Sequence, residues 1–281
     1  MSDDFEIITL KSGLKSLRSI EYGETFHPVT GPRVEANILH VQQQRLLERS
    51  RQHSNYVIWD VGFGAAANVL AAIEALEAAP QNSKSKIEIH SFDRSTGPIE
   101  FALSHSADLG YFSGHESRLQ SLLKGDLVAI GENIRWKLHL GDFAEDLKTG
   151  IQLSAPNSIL YDPYSPSGNP DMWRLDHFSR LRTQLDDSVP CLLTNYTRST
   201  AVRVALLLAG FYVGAGCEIG EKAETTIASN QLGMLERPLN KSWLGRVRVS
   251  GNAAPLRTEK YSMSPISDED FKTLQALKQF A

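Results

Sequence analysis

The stretch Tyr56-Val-Ile-Trp-Asp60-Val-Gly62-Phe-Gly64-Ala-Ala-Ala67-Asn68 decides the fold. Residues 56–61 are a short apolar run of strand length, two glycines interrupt it, and the Ala- and Leu-rich residues 65–79 read as a helix. Glycine lets the chain turn sharply between the two elements and lets a ligand approach the backbone, while the helix N-terminus presents free N–H groups. Gly62-x-Gly64-x-x-Ala67 also satisfies the G-x-G-x-x-G/A pattern of a dinucleotide-binding turn. So short a pattern leaves two readings open: a tight turn without a ligand, or a nucleotide-like cofactor, with no choice between a nicotinamide and S-adenosylmethionine.

The rhythm continues outward from this unit. Residues 87–93 alternate and end on Asp93, helical segments follow near 99–106 and 115–124, and 134–140 alternates strictly before Gly141-Asp142. Residues 157–162 form another strand ending on an acid, followed by a Pro/Gly/Ser-rich loop to Pro170. A helix over 171–185, a strand over 189–195 and a helix over 200–209 come next, then strands over 211–217 and 225–229 joined by a charged loop. Strand–helix alternation predicts an α/β domain with a mostly parallel sheet, and two final strands without a helix between them predict one antiparallel edge strand. Ahead of this domain, 5–10 and 15–21 read as a hairpin around Lys11-Ser12-Gly13, and 34–51 as an amphipathic helix. The expected organisation is an N-terminal hairpin and helix extension over 1–52, the α/β domain over 53–236, and a basic tail over 237–281 with one short helix near 268–279.

Composition narrows the class. The 281 residues are 41% hydrophobic and 22% charged, as in an ordinary globular protein, and no apolar run approaches the ~20 residues that span a bilayer. The acidic start MSDDFE has no basic region followed by an apolar one, so a secretory signal is not expected. Cys191 and Cys217 have no zinc or disulfide spacing, and the eight histidines form no metal motif. A reducing cytoplasm, no membrane and no metal are the expectations. A net charge of −4 argues against a protein that coats nucleic acid, though not against a local basic patch.

The chemistry-bearing residues sit at strand ends. Asp93 is placed to accept hydrogen bonds from two ribose hydroxyls, or to cap the next helix. Asp142 is placed to meet an adenine amino group with Phe143 stacking on the ring, or again to cap a helix. Asp162-Pro163-Tyr164-Ser165-Pro166-Ser-Gly168-Asn169-Pro170-Asp171-Met172-Trp173 is the most specific stretch, since three prolines stiffen a loop at the carboxyl end of a strand, where open α/β sheets bind ligands. Tyr196 and Arg198, ending the next strand, are candidates for contacts to phosphate or to the cofactor pocket. Arg203 reads as a salt bridge on a solvated face, and 220–226 as a charged hairpin loop. Lys222, Arg237, Lys241, Arg246, Arg248 and Arg257, with Trp243 among them, are either a footprint for a phosphate backbone with one stacking aromatic or a solvated tail.

The acid–Pro–aromatic start of the 162–173 loop resembles the D/N-P-P-Y/F loop of amino-group methyltransferases. More widely, the chain resembles the MnmC-like methyltransferases, the S-adenosylmethionine-dependent half of the bifunctional enzyme that completes 5-methylaminomethyl-2-thiouridine at the tRNA wobble position. The matching pieces are Gly23-Glu-Thr-Phe-His-Pro28, Gly31-Pro32…Glu35-Ala36, Asp60-Val-Gly-Phe-Gly64…Asn68, Ser91-Phe-Asp93, Leu140-Gly-Asp142, the 162–173 loop, Thr194-Asn-Tyr-Thr197…Val202-Arg203…Ala209-Gly-Phe211 and Lys222-Ala-Glu-Thr-Thr226, in order across residues 17–230. The resemblance implies a class I (Rossmann-like) methyltransferase sheet and cofactor contacts from Asp60, Gly62, Gly64, Asn68, Asp93, Asp142 and Phe143. It implies Asp162 as the acid facing the substrate amine; Tyr164 is the second expected catalytic residue, Pro163, Pro166, Tyr196, Arg198 and Lys222 are the expected substrate contacts, and tRNA is the expected partner.

Three departures stand out. Ala65-Ala66-Ala67 replaces the family's usual T-G-x, Asp93 stands where Glu is commoner, and Pro163-Tyr164 replaces Gly-Phe. A chain of this length has no room for the flavin-dependent oxidase half, so methyl transfer alone is expected. A nicotinamide-dependent oxidoreductase and a non-catalytic RNA-binding relic are the competing readings; the Asp162 loop disfavours the first, and the acids at 93 and 142 disfavour the second.

Overall fold

The computed structural model describes residues 4–27, 30–79, 85–220 and 223–281. Strands β1 (Phe5–Thr9), β2 (Lys15–Ser19) and β3 (Glu24–Thr25) form a small antiparallel sheet, so the expected hairpin gains a third strand. Helix α1 (Pro32–Ala36) starts on Pro32, whose fixed φ suits a first helical turn.

The single helix expected over 34–51 is instead broken. A π-helical turn spans Asn37–Gln42, Arg45 adopts a left-handed φ of 49°, and α2 covers Leu46–Arg51. Polar side chains account for the break. His40 Nδ1 meets Thr194 Oγ1 at 2.8 Å, and Gln44 Nε2 donates to Thr194 Oγ1 (2.7 Å) and to the Ile159 carbonyl (3.1 Å). Irregular helical turns of this kind persist when tertiary contacts outweigh the regular ladder. Burial brings the His40 pKa down to about 3, so the ring is neutral.

The α/β unit follows as β4 (Asn55–Val61), α3 (Ala67–Ala78), β5 (Lys86–Asp93), α4 (Gly97–Ser104), α5 (Ser106–Leu109), α6 (Glu116–Leu123), β6 (Val128–Ile130) and β7 (Ile134–Leu140). It continues as α7 (Phe143–Thr149), β8 (Ser158–Tyr161), α8 (Leu175–Thr183), β9 (Leu192–Asn195), α9 (Thr200–Leu208), β10 (Tyr212–Ala215) and β11 (Thr226–Ser229). Among the described residues eight strands form one sheet in the order β10-β11-β9-β8-β4-β5-β7-β6. β4 is central: Val57, Trp59 and Val61 point into one core while Tyr56 and Ile58 point into the other, giving helices on both faces.

The antiparallel strand lies elsewhere than expected. β11 runs antiparallel between β9 and β10, one place in from the edge, and the far edge carries a second antiparallel strand, β6, paired with β7.

Residues 237–281 are a further correction. α10 (Lys241–Val249), which the basic composition hides, is capped by Asn240, and α11 (Asp268–Gln275) is capped by Ser267. Trp243, Leu244, Val247, Leu256, Ile266, Leu274 and Phe280 join the core on the α8–α9 face. Gln279 ties the end of the chain to the sheet, accepting from Val213 N–H (2.9 Å) and donating to the Val213 (2.7 Å) and Leu239 (2.9 Å) carbonyls. The segment is packed, not a solvated tail.

Candidate functional site

The turn after β4 is built on unusual backbone. Gly62 has a φ of +89°, and a Cβ there would lie 2.6 Å from the Asp162 carbonyl oxygen, so no larger residue fits. Gly64 has a φ of +52°, and its N–H donates to Asp93 Oδ2 at 2.8 Å. Ala66, where the related pattern carries glycine, also sits in the left-handed region at φ 63° just before α3. The turn thus keeps its path without its usual residue, at a cost of roughly 1–2 kcal/mol.

At the carboxyl ends of β4, β5, β8 and β9 lies a cavity of about 790 Å³. The turn forms its floor, and residues 21–27 of the small N-terminal sheet form its roof. Its described charged lining is Glu21, Glu24, Glu35, Asp93 and Asp162 against Arg94, with His27 beside them. Such an excess of carboxylates favours cationic ligands and opposes anionic ones.

Gly62, Gly64, Asn68, Asp93, Phe143, Asp162, Pro163, Tyr164 and Tyr196 all border the cavity. Asn68 Nδ2 donates to Asp162 Oδ2 at 2.8 Å, linking the first turn of α3 to the loop after β8. Burial raises the Asp93 carboxyl above its usual range, partly offset by the N–H groups of Gly64 and Ser95. Tyr164 stacks on Tyr22 (4.0 Å between centroids) and meets the edge of Phe26 (5.6 Å), and its burial holds the hydroxyl well above the ordinary tyrosine range. It is packed into the roof and stays protonated.

Other expected residues lie outside the cavity lining. Asp60 is buried beneath it, accepting from Ser91 Oγ at 2.7 Å, and burial pushes its carboxyl up to about 8. Asp142 caps α7 through the Ala144 N–H (2.9 Å) and pairs with Arg94 (2.8 Å), so Gly141 borders the cavity in its place. Burial works against ionisation of Asp142, but Arg94 and the helix N–H groups hold it below the usual carboxylate range. Pro166 and the exposed Arg198 do not border the cavity, and Lys222 lies outside the described residues.

Arg203 is not on a solvated face. It is 2% exposed, with Nη1 on Glu224 (2.7 Å), Nε on Thr226 Oγ1 (3.0 Å) and Nη2 on the Thr225 carbonyl (2.7 Å), so it anchors the loop before β11. The basic footprint is also reduced. Arg248 pairs with Asp268 (2.7 Å), Arg257 pairs with Asp270 (2.7 Å), and Trp243 is buried against Phe280, which removes the stacking aromatic.

The residues missed from sequence are those of the roof. Glu24 accepts from the Ser165 N–H at 2.9 Å and from the Ser165 hydroxyl, across 141 positions of chain. The motif Gly23-Glu-Thr-Phe was visible, but its pairing with the Asp162 loop was not. Among the described residues no cluster of His, Cys, Asp and Glu is arranged to hold a metal, and no helix is long and apolar enough to cross a membrane.

Comparison with known proteins agrees with this geometry. Residues 116–231 match a family described as S-adenosyl-L-methionine-dependent methyltransferase. The tRNA 5-methylaminomethyl-2-thiouridine biosynthesis bifunctional protein MnmC of Azoarcus sp. (strain BH72) is 30% identical over 245 residues, covering 83% of this chain and 37% of that protein. Its counterpart in Methylibium petroleiphilum is 26% identical over 215 residues, covering 74% of this chain and 32% of that protein. The chain thus spans about a third of the length of the curated relatives it matches. The crystal structure of MNMC2 from Aquifex aeolicus superposes with a TM-score of 0.70 at 26% identity, over 96% of this chain and 84% of that one. A spermidine synthase matches at a TM-score of 0.52 and 11% identity over 97% of this chain and 81% of that one, a likeness of fold alone.

Proposed function

The chain belongs to the MnmC-like S-adenosyl-L-methionine-dependent methyltransferases, and from that premise we propose that it methylates the nitrogen of an aminomethyl group on a wobble uridine of tRNA. The observation that carries this reading is Asp162, held by Asn68 where the glycine turn and the acceptor loop meet at one cavity. The substrate follows from the relatives' names, which concern tRNA 5-methylaminomethyl-2-thiouridine.

The residues present fit S-adenosylmethionine. Gly62 and Gly64 line the cavity, their lack of side chains letting the turn pack against the Asp162 backbone and the Phe26 ring, and the carboxylates complement a ligand that bears a sulfonium and an ammonium. The same charges disfavour the pyrophosphate of a nicotinamide dinucleotide. In this reading Asp93 would hold the ribose hydroxyls, and Gly62, Gly64, Gly141 and Phe143 would line the rest of the cofactor's site. The cofactor supplies an electrophilic methyl group.

The chain's own residues do the rest. Asp162 would accept a hydrogen bond from the entering amine and take its proton, freeing the nitrogen lone pair for the methyl group that the cofactor would supply. Tyr164 and Pro163 wall the acceptor side, and the roof excludes water. Because the cavity is acidic, RNA phosphates remain outside and only the modified base enters; the exposed Arg198, Lys241 and Arg246 are available to those phosphates. A tRNA substrate is in keeping with a cytoplasmic enzyme.

The test is calorimetric titration with S-adenosylmethionine, S-adenosylhomocysteine and NADH side by side, followed by methyl transfer to tRNA carrying an aminomethyl wobble uridine. Binding of the first two ligands and methylation of that tRNA are expected. Binding of NADH alone overturns the cofactor reading, and failure to methylate any aminomethylated tRNA overturns the substrate.

A further inference from the structure

We propose that Glu24, on the roof strand β3, is a positioning residue for Asp162: its carboxylate clamps the acceptor loop in the conformation that presents Asp162 to the amine. The proposal rests on the reading of Asp162 as the group facing the acceptor.

Three features of the loop match a carboxylate brought in from outside. Ser165 offers Glu24 both its backbone N–H (2.9 Å) and its hydroxyl, so both carboxylate oxygens are engaged by one residue. Gly168 is bare where Glu24 arrives, and a Cβ there would displace the Glu24 carboxylate. Ser165 in turn organises the rest of the loop. Its carbonyl accepts from the N–H groups of Gly168 (3.0 Å) and Asn169 (2.8 Å), and its hydroxyl oxygen accepts from Gly168 N–H (3.2 Å). Holding Ser165 therefore holds residues 165–169 as a unit.

Other ties hold the loop on either side of Ser165, among them the Tyr164 ring stacked on Tyr22 and the Asn169 carbonyl accepting from Met172 N–H (3.3 Å). Asp162 N–H donates to the Val61 carbonyl (2.9 Å), and Trp173 Nε1 donates to the Tyr164 carbonyl (2.8 Å). Glu24 supplies the anchor at Ser165 itself, from an element of the other sheet. The same roof touches the cofactor turn, where a Cβ at Gly64 would lie 2.9 Å from the Phe26 ring. A single short strand thus sets the acceptor loop and the cofactor turn at a fixed separation. Displacing a reacting group by about 1 Å can cost on the order of 100-fold in rate.

The experiment compares wild type, Glu24→Ala, Glu24→Gln and Ser165→Ala in two readouts: amide hydrogen exchange of residues 163–169 with S-adenosylhomocysteine bound, and single-turnover methyl transfer. Glu24→Ala is expected to speed exchange in the loop by roughly tenfold. It should slow methyl transfer by roughly 10–100-fold, a loss well beyond any change in the dissociation constant of S-adenosylhomocysteine. Glutamine keeps one acceptor for the Ser165 N–H and can donate its amide to the Ser165 hydroxyl, so Glu24→Gln should restore both readouts. Ser165→Ala, which leaves the roof intact, should give a smaller increase in exchange and carries the test should Glu24→Ala not fold. Wild-type exchange in Glu24→Ala overturns the proposal; equal loss of transfer in Glu24→Ala and Glu24→Gln overturns it in favour of a direct role for the charge. Absence of turnover in the wild type counts against the acceptor instead, and exchange alone then decides the clamp.

Discussion

Asn68 and Asp162, 94 positions apart in the chain, are joined by a 2.8 Å hydrogen bond from the Asn68 amide to Asp162 Oδ2. An ionised carboxylate only accepts, so the NH2 end faces it, while the buried Asn68 Oδ1 has no partner among the described residues.

Asn68→Ala should therefore act on the chemical step. Hydrogen bonds to charged groups are worth roughly 1.5–3 kcal/mol, so kcat should fall about 10–100-fold. Cofactor affinity should change by less than about threefold, under 0.7 kcal/mol. Isothermal titration and single-turnover kinetics separate the two quantities. A large loss of cofactor affinity with kcat intact would instead make Asn68 a cofactor contact, as the family resemblance implies.

Ala66 offers a test of backbone strain. It is fully buried with φ 63°, whereas Ala72, also fully buried, lies within α3. Mutating either to glycine deletes one buried methyl group and adds similar freedom to the unfolded chain. Only at Ala66 does glycine also relieve left-handed strain. Ala66→Gly should therefore be more stable than Ala72→Gly by about 1–2 kcal/mol in urea denaturation. Equal stability of the two variants would mean the turn carries no strain.

Asp60 makes stability depend on pH. Burial holds its carboxyl at about 8 in the folded protein, against about 3.9 in an unfolded chain. Between those values the folded state binds the extra proton, so Asp60 contributes a stability that is full below pH ~4 and lost as pH rises towards 8, by at most about 1.4 kcal/mol per unit. Asp60→Asn removes this dependence and leaves an oxygen to accept from Ser91. The variant should gain on wild type steadily from pH 5 to pH 8 in chemical denaturation. A constant difference across that range would show that Asp60 is ionised throughout.

Local pattern carried much of this architecture. β4, β5 and β7 were legible because apolar runs and two-residue alternation survive burial, and the glycine turn because Gly62 and Gly64 stand where positive φ is needed. β6 was not, since three residues are too few to show a period. The break after α1 comes from His40 and Gln44 bonding to Thr194, a contact spanning about 150 positions that helix periodicity does not register. Arg203 and Trp243 misled for one reason: a charge and an aromatic in polar surroundings suggest solvent, while distant partners bury both. Asp93 and Asp162 were found because strand ends converge on one cavity, and Glu24 was missed because the roof arrives from another sheet.

The catalytic assignment is tested by Asp162→Asn. An aminomethyl nitrogen is largely protonated at neutral pH, and it can attack a sulfonium methyl only once its lone pair is free and in line. A carboxylate that takes the proton raises the reactive fraction, an assistance worth about 10²–10⁴ in rate. Asparagine preserves the shape but cannot take the proton, and with its one oxygen turned to Asn68 it offers the amine no acceptor, so the variant removes proton acceptance while keeping the tie to Asn68. Its second end is an NH2 group, which must avoid the Asn68 amide now facing it; the carbonyl end turned to Asn68 keeps that 2.8 Å contact. Asp162→Asn should bind S-adenosylmethionine as wild type does and lose at least about 100-fold in single-turnover methyl transfer at neutral pH. The deficit should narrow as pH rises, because bulk deprotonation of the amine then supplies what the side chain no longer can. A rate within about threefold of wild type at neutral pH lies far below the loss expected of a general base and would leave Asp162 a positioning group only.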